Sequence, residues 1–252
     1  RVVITGMGVM SPLGHTVDAY WNGLVKGKSG IGKITLCETK EFPSDIAGEV
    51  DDFDPAQYAN RKETRRMARF SQMAVAAAAT AIENSTLNLS VEDGTRLGVV
   101  MGNGNGGFPT TEDNSRVLFE RGAMRMSPFF VPMILPNMAA AQISRIFGFR
   151  GYTNTVITAC AAGNQAIGEA AEVIRRGAAD VVLGGGCEAG ISRLGLGGFH
   201  VMKALSRYQG DPARASRPFD ATRDGFVPAE GAGVLVMESL EHALDREVDI
   251  LA

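Results

Sequence analysis

The chain has 252 residues, of which 45% are hydrophobic and 21% charged, a composition typical of a folded domain with a substantial core. Its formal net charge of -3 argues against a nucleic-acid-binding protein, which is usually strongly basic. The three cysteines, Cys37, Cys160 and Cys187, lack regular spacing, so we expect no disulfide framework, no metal site and a cytoplasmic location.

The first half of the chain alternates short apolar runs with amphipathic stretches. β-Branched residues at 2–5 predict a buried strand that ends in a turn at Gly6 and Gly8. The following segments predict a helix over 17–26, a loop over 38–55 and a long Ala-rich helix over 61–84. A second strand is predicted over 96–101, before the glycine cluster at 102–107.

The second half continues the same alternation. It predicts helices over 111–121 and 136–147, a strand over 152–158, a helix that follows the Cys160 segment and reaches 176, strands over 180–183 and 231–237, and a helix over 240–246. Such alternation predicts an α/β fold with largely buried sheets. Apolar residues begin again at 249–252, so we expect the chain to stop within a strand. No apolar run has the length of a membrane span, and no signal peptide precedes the first strand, so we expect no membrane partner.

Cys160 stands out because it follows a β-branched strand, precedes a helix and has small neighbours on both sides. A thiol in the first turn of a helix lies near unpaired N–H groups, which stabilise its thiolate. The same N–H groups can hold an oxyanion during acyl transfer. A small buried thiol that only packs is the alternative, and it is the interpretation we adopt for Cys37 and Cys187.

The run Thr158-Ala-Cys-Ala-Ala-Gly163 resembles the nucleophile motif of the β-ketoacyl-acyl-carrier-protein synthases, most nearly the type II elongating enzymes of fatty-acid synthesis. Further segments resemble landmarks of this family in the same order: Val3-Ile-Thr-Gly-Met-Gly-Val-Met-Ser-Pro-Leu-Gly14, Ser127-Pro-Phe-Phe-Val-Pro132, Gly197-Gly-Phe199, Ala204-Leu-Ser206, Arg217-Pro-Phe-Asp220 and Arg223-Asp-Gly-Phe-Val227. The resemblance therefore extends along nearly the whole chain.

This resemblance implies a thiolase-like layered α/β fold with a mixed sheet flanked by helices, of which residues 1–252 form the first of two similar halves. It implies that Cys160 takes an acyl chain from acyl carrier protein, and that malonyl-carrier then undergoes decarboxylative Claisen condensation. Phosphopantetheine arrives on the carrier, so no cofactor of the protein's own is expected. The resemblance also implies a homodimer, with strand 152–158 near the two-fold axis and Phe130 reaching the neighbouring subunit's acyl pocket.

The family's catalytic set also includes two histidines, which lie in its second half. His15, His200 and His242 match neither position, and we interpret all three as structural or surface residues. The sequence thus supports the acyl-transfer half of the mechanism and is silent on condensation.

Gly102, Gly104 and Gly107 match G-x-G-x-x-G after a strand, the fingerprint of a dinucleotide site. The context does not fit, because no second strand ending in an acidic residue follows the next helix. Tight turns and close backbone packing explain the glycines better. In the family they border the acyl-binding region, where the resemblance implies substrate contacts for Asn105 and Phe199. Asn105 occupies a position that is commonly aliphatic, which puts a preference for long saturated chains in doubt.

Basic residues are clustered at the start of the predicted long helix. Lys62, Arg65, Arg66 and Arg69 would share one helix face, as either a solvated surface or a docking site for an acidic partner. The resemblance favours acyl carrier protein, since Lys62, Arg65, Arg66 and Lys203 match positions that contact it.

Three other classes of protein remain open at this point. A chain-length-determining subunit would lack the nucleophile, so Cys160 argues against it. A polyketide-type ketosynthase would share the motif. A nucleotide-dependent oxidoreductase is disfavoured by the glycine context and would be detected by NAD(P) titration.

Overall fold

The computed structural model describes all residues from 1 to 252, and a five-stranded mixed sheet forms its centre. In their order of pairing, the strands are β1 (Val2–Met10), β7 (Gly231–Ser239), β6 (Val181–Glu188), β4 (Leu97–Gly102) and β5 (Thr153–Val156). β4 is parallel to both β5 and β6, whereas β7 is antiparallel to β6 and β1. Two short strands, β2 (Gly32–Lys33) and β3 (Ile46–Ala47), form a separate antiparallel pair.

Helices cover both faces of the sheet. They are α1 (Val17–Val25), α2 (Arg61–Thr64), α3 (Arg69–Asn84), α4 (Phe108–Arg121), α5 (Phe130–Ile134), α6 (Met138–Phe147), α7 (Ala162–Arg175), α8 (Arg193–Val201) and α9 (Leu240–Asp245). α3 packs against β1 and β7 with α6 beside it, while α7 packs against β6 and β4. None of these helices combines the length and apolar character that crossing a bilayer requires.

Successive residues of the central strands are buried on alternate faces of the sheet. In β4, Val99 and Met101 belong to the core that includes α3 and α6, whereas Val100 belongs to the smaller core on the α7 side. Strands covered on both faces are apolar throughout, which explains why no polar alternation is visible in the sequence. The predicted α/β fold, with a mixed sheet flanked by helices, is confirmed.

Most predicted elements are present, but their ends differ where glycines lie inside strands. β1 continues through Gly6 and Gly8, where we predicted a turn, and β6 continues to Glu188. A Cβ on Gly8 would lie 2.0 Å from the Ala77 carbonyl oxygen of α3, so glycine lets this helix pack directly on the strand. The helices α5 and α8 are missing from the prediction.

The final residues lie beside the edge of β1. The Ile4 N–H donates to the Ala252 carbonyl and the Leu251 N–H donates to the Ile4 carbonyl, both at 2.8 Å. Residues 249–252 nevertheless have no regular secondary structure of their own.

The single helix predicted over 61–84 is wrong, because the chain forms two helices separated by residues 65–68. Ala68 is extended, with φ -70° and ψ 158°, and the Gln72 side chain donates to the Thr64 carbonyl at 2.8 Å. Arg69 turns inward to pair with Glu230 (Nη2–Oε1 2.6 Å), whose side chain is 1% exposed. This partner is remote in sequence, so local periodicity could not indicate the break.

A buried carboxylate on β7 joins the edge of the sheet to the last helix. Glu238 accepts hydrogen bonds from Thr5 of β1, from His242 at 2.5 Å and from Arg246 at 2.8 Å. Burial alone would raise the pKa of Glu238, but these hydrogen bonds outweigh it and lower the pKa to about 2. The hydrogen bond to Glu238, opposed by burial and assisted by Glu92, raises the pKa of His242 to about 9.

We expect His242→Gln to destabilise the fold in a pH-dependent way. The stabilisation from protonated His242 is complete below its unfolded pKa of about 6.5 and is lost as pH rises through about 9. The variant should therefore lose roughly 1–3 kcal/mol of unfolding free energy near pH 6 and much less near pH 10, as measured by urea unfolding. A difference from wild type that stays constant across this range would contradict the assignment.

Candidate active site

Three parallel strands end at the same edge of the sheet, and their following residues form the candidate site. β4 leads into the glycine loop at 103–107, β5 leads to Cys160, and β6 ends at Glu188. The carboxyl ends of parallel strands are where α/β proteins usually bind ligands. The sheet topology thus brings together segments that are distant in sequence.

Cys160 lies in a 3₁₀ turn, Ala159–Ala161, between β5 and α7. Its side chain is exposed. The preceding residue, Ala159, has φ +49°, a left-handed conformation that is unfavourable for a residue with a Cβ. As predicted, Cys160 follows a strand and precedes a helix, but this 3₁₀ turn lies between them, so the thiol stands just before the first α-helical turn and not within it. No side chain caps α7, so the N–H groups of its first turn point toward the cysteine end without a side-chain acceptor.

Glycines hold the first turn of α7 directly against the sheet. A Cβ on Gly102 of β4 would lie 2.3 Å from the Ala162 carbonyl, and a Cβ on Gly186 of β6 would lie 2.9 Å from the Gly163 Cα. Any side chain at these positions would push the helix away. The close-packing role that we predicted for this glycine cluster is confirmed, and it fixes the turn that carries Cys160.

The dinucleotide interpretation fails on the same loop. The Gly107 N–H donates to the Ile134 carbonyl at 3.0 Å, and a Cβ on Gly106 would lie 2.3 Å from that oxygen. Protein backbone therefore occupies the space at the start of α4 where a pyrophosphate would bind.

Asn103 and Glu188 tie the three strand ends together, and the sequence analysis missed both. The Asn103 side chain donates to the Cys187 carbonyl at 2.7 Å and accepts from the Gly106 N–H at 2.6 Å. One Glu188 oxygen accepts from the N–H groups of Gly104 (2.9 Å) and Asn105 (3.1 Å). Their position at the ends of buried strands was the available signal. Burial raises the pKa of Glu188 although these hydrogen bonds oppose it.

The other two thiols have different surroundings. Burial, assisted by the nearby Glu188 charge, raises the pKa of Cys187 well above that of a free thiol. Burial, together with Glu112 and Glu49, raises the pKa of Cys37 to about 11. Both thiols are therefore protonated near neutral pH, in keeping with a packing role.

Cys160 opens into a cavity of about 840 Å³, within the size range of small-molecule sites. The predicted residues Asn105, Cys160 and Phe199 all line it. The Phe199 and Phe226 rings meet edge to face with centroids 5.2 Å apart. Further lining side chains that the sequence analysis did not single out are Asn103, Ile157, Cys187, Glu188, Ile191, Leu196, Val227 and Pro228.

Phe130 and the three histidines lie outside this cavity. Phe130 is half-buried at the start of α5, so its predicted contact with a neighbouring subunit's pocket stays a prediction. His15 packs against Phe53 and His200 against Phe42, while His242 belongs to the Glu238 cluster.

The basic residues separate into two groups. Lys62 and Arg65 are exposed and form no ion pair, and Arg66 lies over the Phe129 ring at 4.5 Å. Lys203 is also exposed, just after α8. Arg69 is instead bound to Glu230 and belongs to a different helix, so the prediction that it shares one helix face with Lys62, Arg65 and Arg66 is wrong.

Comparison with known proteins places these features in a family. The sequence model described as "Beta-ketoacyl synthase, N-terminal domain" matches residues 1–243. The "3-oxoacyl-[acyl-carrier-protein] synthase 2" of Synechocystis sp. is 43% identical over 250 residues, which are 99% of this chain and 60% of that protein. The chain thus spans about 60% of the length of this curated relative.

Two solved structures share the fold. "The ishigamide ketosynthase/chain length factor" has a TM-score of 0.91 at 34% identity and covers 99% of this chain and 61% of that one. A type II polyketide ketosynthase in complex with its acyl-carrier protein, AntDE:AntF, has a TM-score of 0.81 at 31% identity and covers 100% of this chain and 66% of that one. The predicted thiolase-like fold is therefore confirmed. Since the sequence model matches nearly the whole chain and the fold agrees with it, the chain belongs to the β-ketoacyl synthase family and matches its N-terminal domain.

Proposed function

We propose that the protein is a β-ketoacyl-acyl-carrier-protein synthase in which Cys160 carries the acyl chain. One observation carries the proposal: an exposed thiol stands at the uncapped start of α7 and opens into a cavity of about 840 Å³. A thioester can reach such a sulfur, and an apolar chain can occupy the space beyond it.

In the acyl-transfer step, the Cys160 thiolate attacks the thioester carbonyl carbon of acyl-carrier substrate. The carbonyl oxygen becomes an oxyanion, which backbone N–H groups at the start of α7 would stabilise. The carbon–sulfur bond to phosphopantetheine then breaks, and the carrier leaves as a thiol after taking up a proton. Cys160 is left as the acyl thioester.

Condensation requires a second substrate. Malonyl-carrier loses carbon dioxide, and the resulting carbanion attacks the acyl-cysteine carbonyl to release Cys160 and form the β-ketoacyl product. The histidines of this chain lie away from the cavity. The two catalytic histidines that the family resemblance implies are therefore not supplied by these residues, and the present site accounts for acyl transfer.

The relatives indicate two possible pathways for this chemistry. The name of the Synechocystis relative supports elongation in fatty-acid synthesis. The AntDE structure is described as bound to a hexaketide, which supports a polyketide-type ketosynthase as the alternative. Cys160 disfavours a chain-length-determining subunit.

Acyl carrier protein is the proposed partner, and the unpaired cations Lys62, Arg65, Arg66 and Lys203 are its proposed contacts. A homodimer is proposed through β5, the edge strand of the sheet, where Thr153 and Asn154 are exposed. An unpaired strand edge favours addition of a second strand. A cytoplasmic location is proposed on the basis of the reduced cysteines.

Iodoacetamide should modify Cys160 well before Cys37 and Cys187. A thiol with a pKa of about 11 is only about one part in a thousand ionised near pH 8, and Cys187 is buried as well. Peptide mass mapping of the labelled protein would give the order in which the three thiols are modified. Acyl-carrier substrate should protect Cys160 from labelling, and Cys160→Ser should abolish the early phase of iodoacetamide uptake. Equal labelling of all three thiols would contradict the assignment of Cys160 as the acyl-carrying residue.

Reversing two cations should weaken carrier binding. We expect Arg65→Glu combined with Arg66→Glu to raise the Kd for acyl carrier protein by roughly tenfold or more and to reduce its salt dependence, because steering and rim contacts are lost. Lys26→Glu combined with Lys28→Glu is the matched control, since both lysines are exposed and the change in charge is the same. Isothermal calorimetry at two salt concentrations measures both effects. Equal Kd values for the two double variants would show that Arg65 and Arg66 are surface residues with no specific role in carrier binding.

A further inference from the structure

Asn105 is a polar side chain in a cavity with mainly apolar walls. It lines the same cavity as Cys160, together with Ile157, Ile191 and Leu196. Its backbone N–H binds Glu188, but its side-chain amide has no hydrogen-bond partner within the protein. The amide therefore has both donors and an acceptor available to a bound molecule.

The other amide and the carboxylate that line the cavity already have partners within the protein. The Asn103 amide uses its nitrogen on the Cys187 carbonyl and its oxygen on the Gly106 N–H. Glu188 accepts from the Gly104 and Asn105 N–H groups. Among the amide and carboxylate side chains that line the cavity, only that of Asn105 has no hydrogen-bond partner within the protein.

The loop that carries Asn105 runs beside the turn that carries Cys160. A Cβ on Gly104 would lie 2.8 Å from Glu188 Oε2 and 3.9 Å from the Cα of Ala159. Gly104 precedes Asn105, and Ala159 precedes Cys160, so the two segments lie side by side. The hydrogen bonds of Glu188 hold the backbone of Gly104 and Asn105 in place, and the Asn105 amide nitrogen would lie 3.8 Å from a Cβ on Gly190.

Filling the cavity changes the surroundings of the amide. In the free protein, water can hydrate it; a bound acyl chain displaces that water. A saturated chain leaves the amide without partners, which is costly, whereas a hydroxyl or carbonyl group on the chain restores a hydrogen bond.

We propose that Asn105 selects acyl chains that carry a hydroxyl or carbonyl oxygen over saturated chains of the same length. This inference rests on the proposed acyl transfer to Cys160 and narrows its substrate class. Asn105 acts here as a specificity-determining residue, and the transfer chemistry itself is unchanged.

The test compares acylation of Cys160 by N-acetylcysteamine thioesters of hexanoate and of its 3-hydroxy and 5-hydroxy forms, using intact-protein mass spectrometry. The wild-type protein should be acylated roughly fivefold to thirtyfold faster by at least one hydroxylated thioester than by hexanoyl thioester, as expected for pairing one buried amide. Asn105→Leu, which keeps the branched shape of the side chain but lacks the amide, should lose or reverse this preference. Asn105→Gln keeps the amide and should retain part of it, and circular dichroism would establish that both variants fold.

Equal rates for all thioesters in the wild-type protein would overturn the inference. An unchanged preference in folded Asn105→Leu would overturn it as well. In either case acylation of Cys160 would still support the proposed function. If no thioester acylates Cys160 while iodoacetamide does, the proposed acyl transfer fails, and the inference about Asn105 fails with it.

Discussion

Direct backbone contact between the first turn of α7 and strands β4 and β6 is the constraint on which the site depends. Gly102 and Gly186 leave no room for a side chain against Ala162 and Gly163, so the helix cannot shift along or away from the sheet without losing this packing. The turn that carries Cys160 is short and includes the left-handed Ala159. A turn that is unfavourable by itself persists only where its two flanking elements are held firmly. The glycines thus stabilise the position of Cys160 indirectly, because they hold the first turn of α7 firmly against β4 and β6.

The buried Asn103 and the half-buried Glu188, at the strand ends, serve the same purpose for the neighbouring glycine loop. Glycine-rich loops have high conformational freedom, yet the loop at 103–107 is fixed because Asn103 and Glu188 satisfy its N–H groups. Burying an amide and a carboxylate beside an apolar cavity is costly unless their hydrogen bonds are made. Here the partners come from β4 and β6, so the sheet itself supplies the geometry.

Local sequence patterns could predict those features of the fold that depend on residues close together in the chain. Strand and helix alternation, the α/β class and the junction at Cys160 follow from the periodicity of apolar residues and from small residues around the thiol. The break before α3 depends on the contact between Arg69 and Glu230, which are 161 residues apart. The loop geometry depends on the contacts of Asn103 with Cys187 and of Gly104 with Glu188, each across 84 residues. Residues so far apart in the chain are brought together by the topology of the fold, which local patterns do not indicate. The continuation of β1 through its glycines has the same origin, because α3 provides the contact that excludes a Cβ.

Polar groups in this protein divide into those that the fold uses and those that it leaves free. Arg69, Glu230, Asn103, Glu188 and Glu238 are engaged internally, and each lies where an unpaired charge or amide would weaken the core. The Cys160 thiol and the Asn105 amide, both at the cavity, and the cations Lys62 and Arg65, on the surface, have no such role in stability. Folding does not account for the placement of these groups, and this is why acyl transfer, selection of the acyl chain and carrier docking are proposed for them.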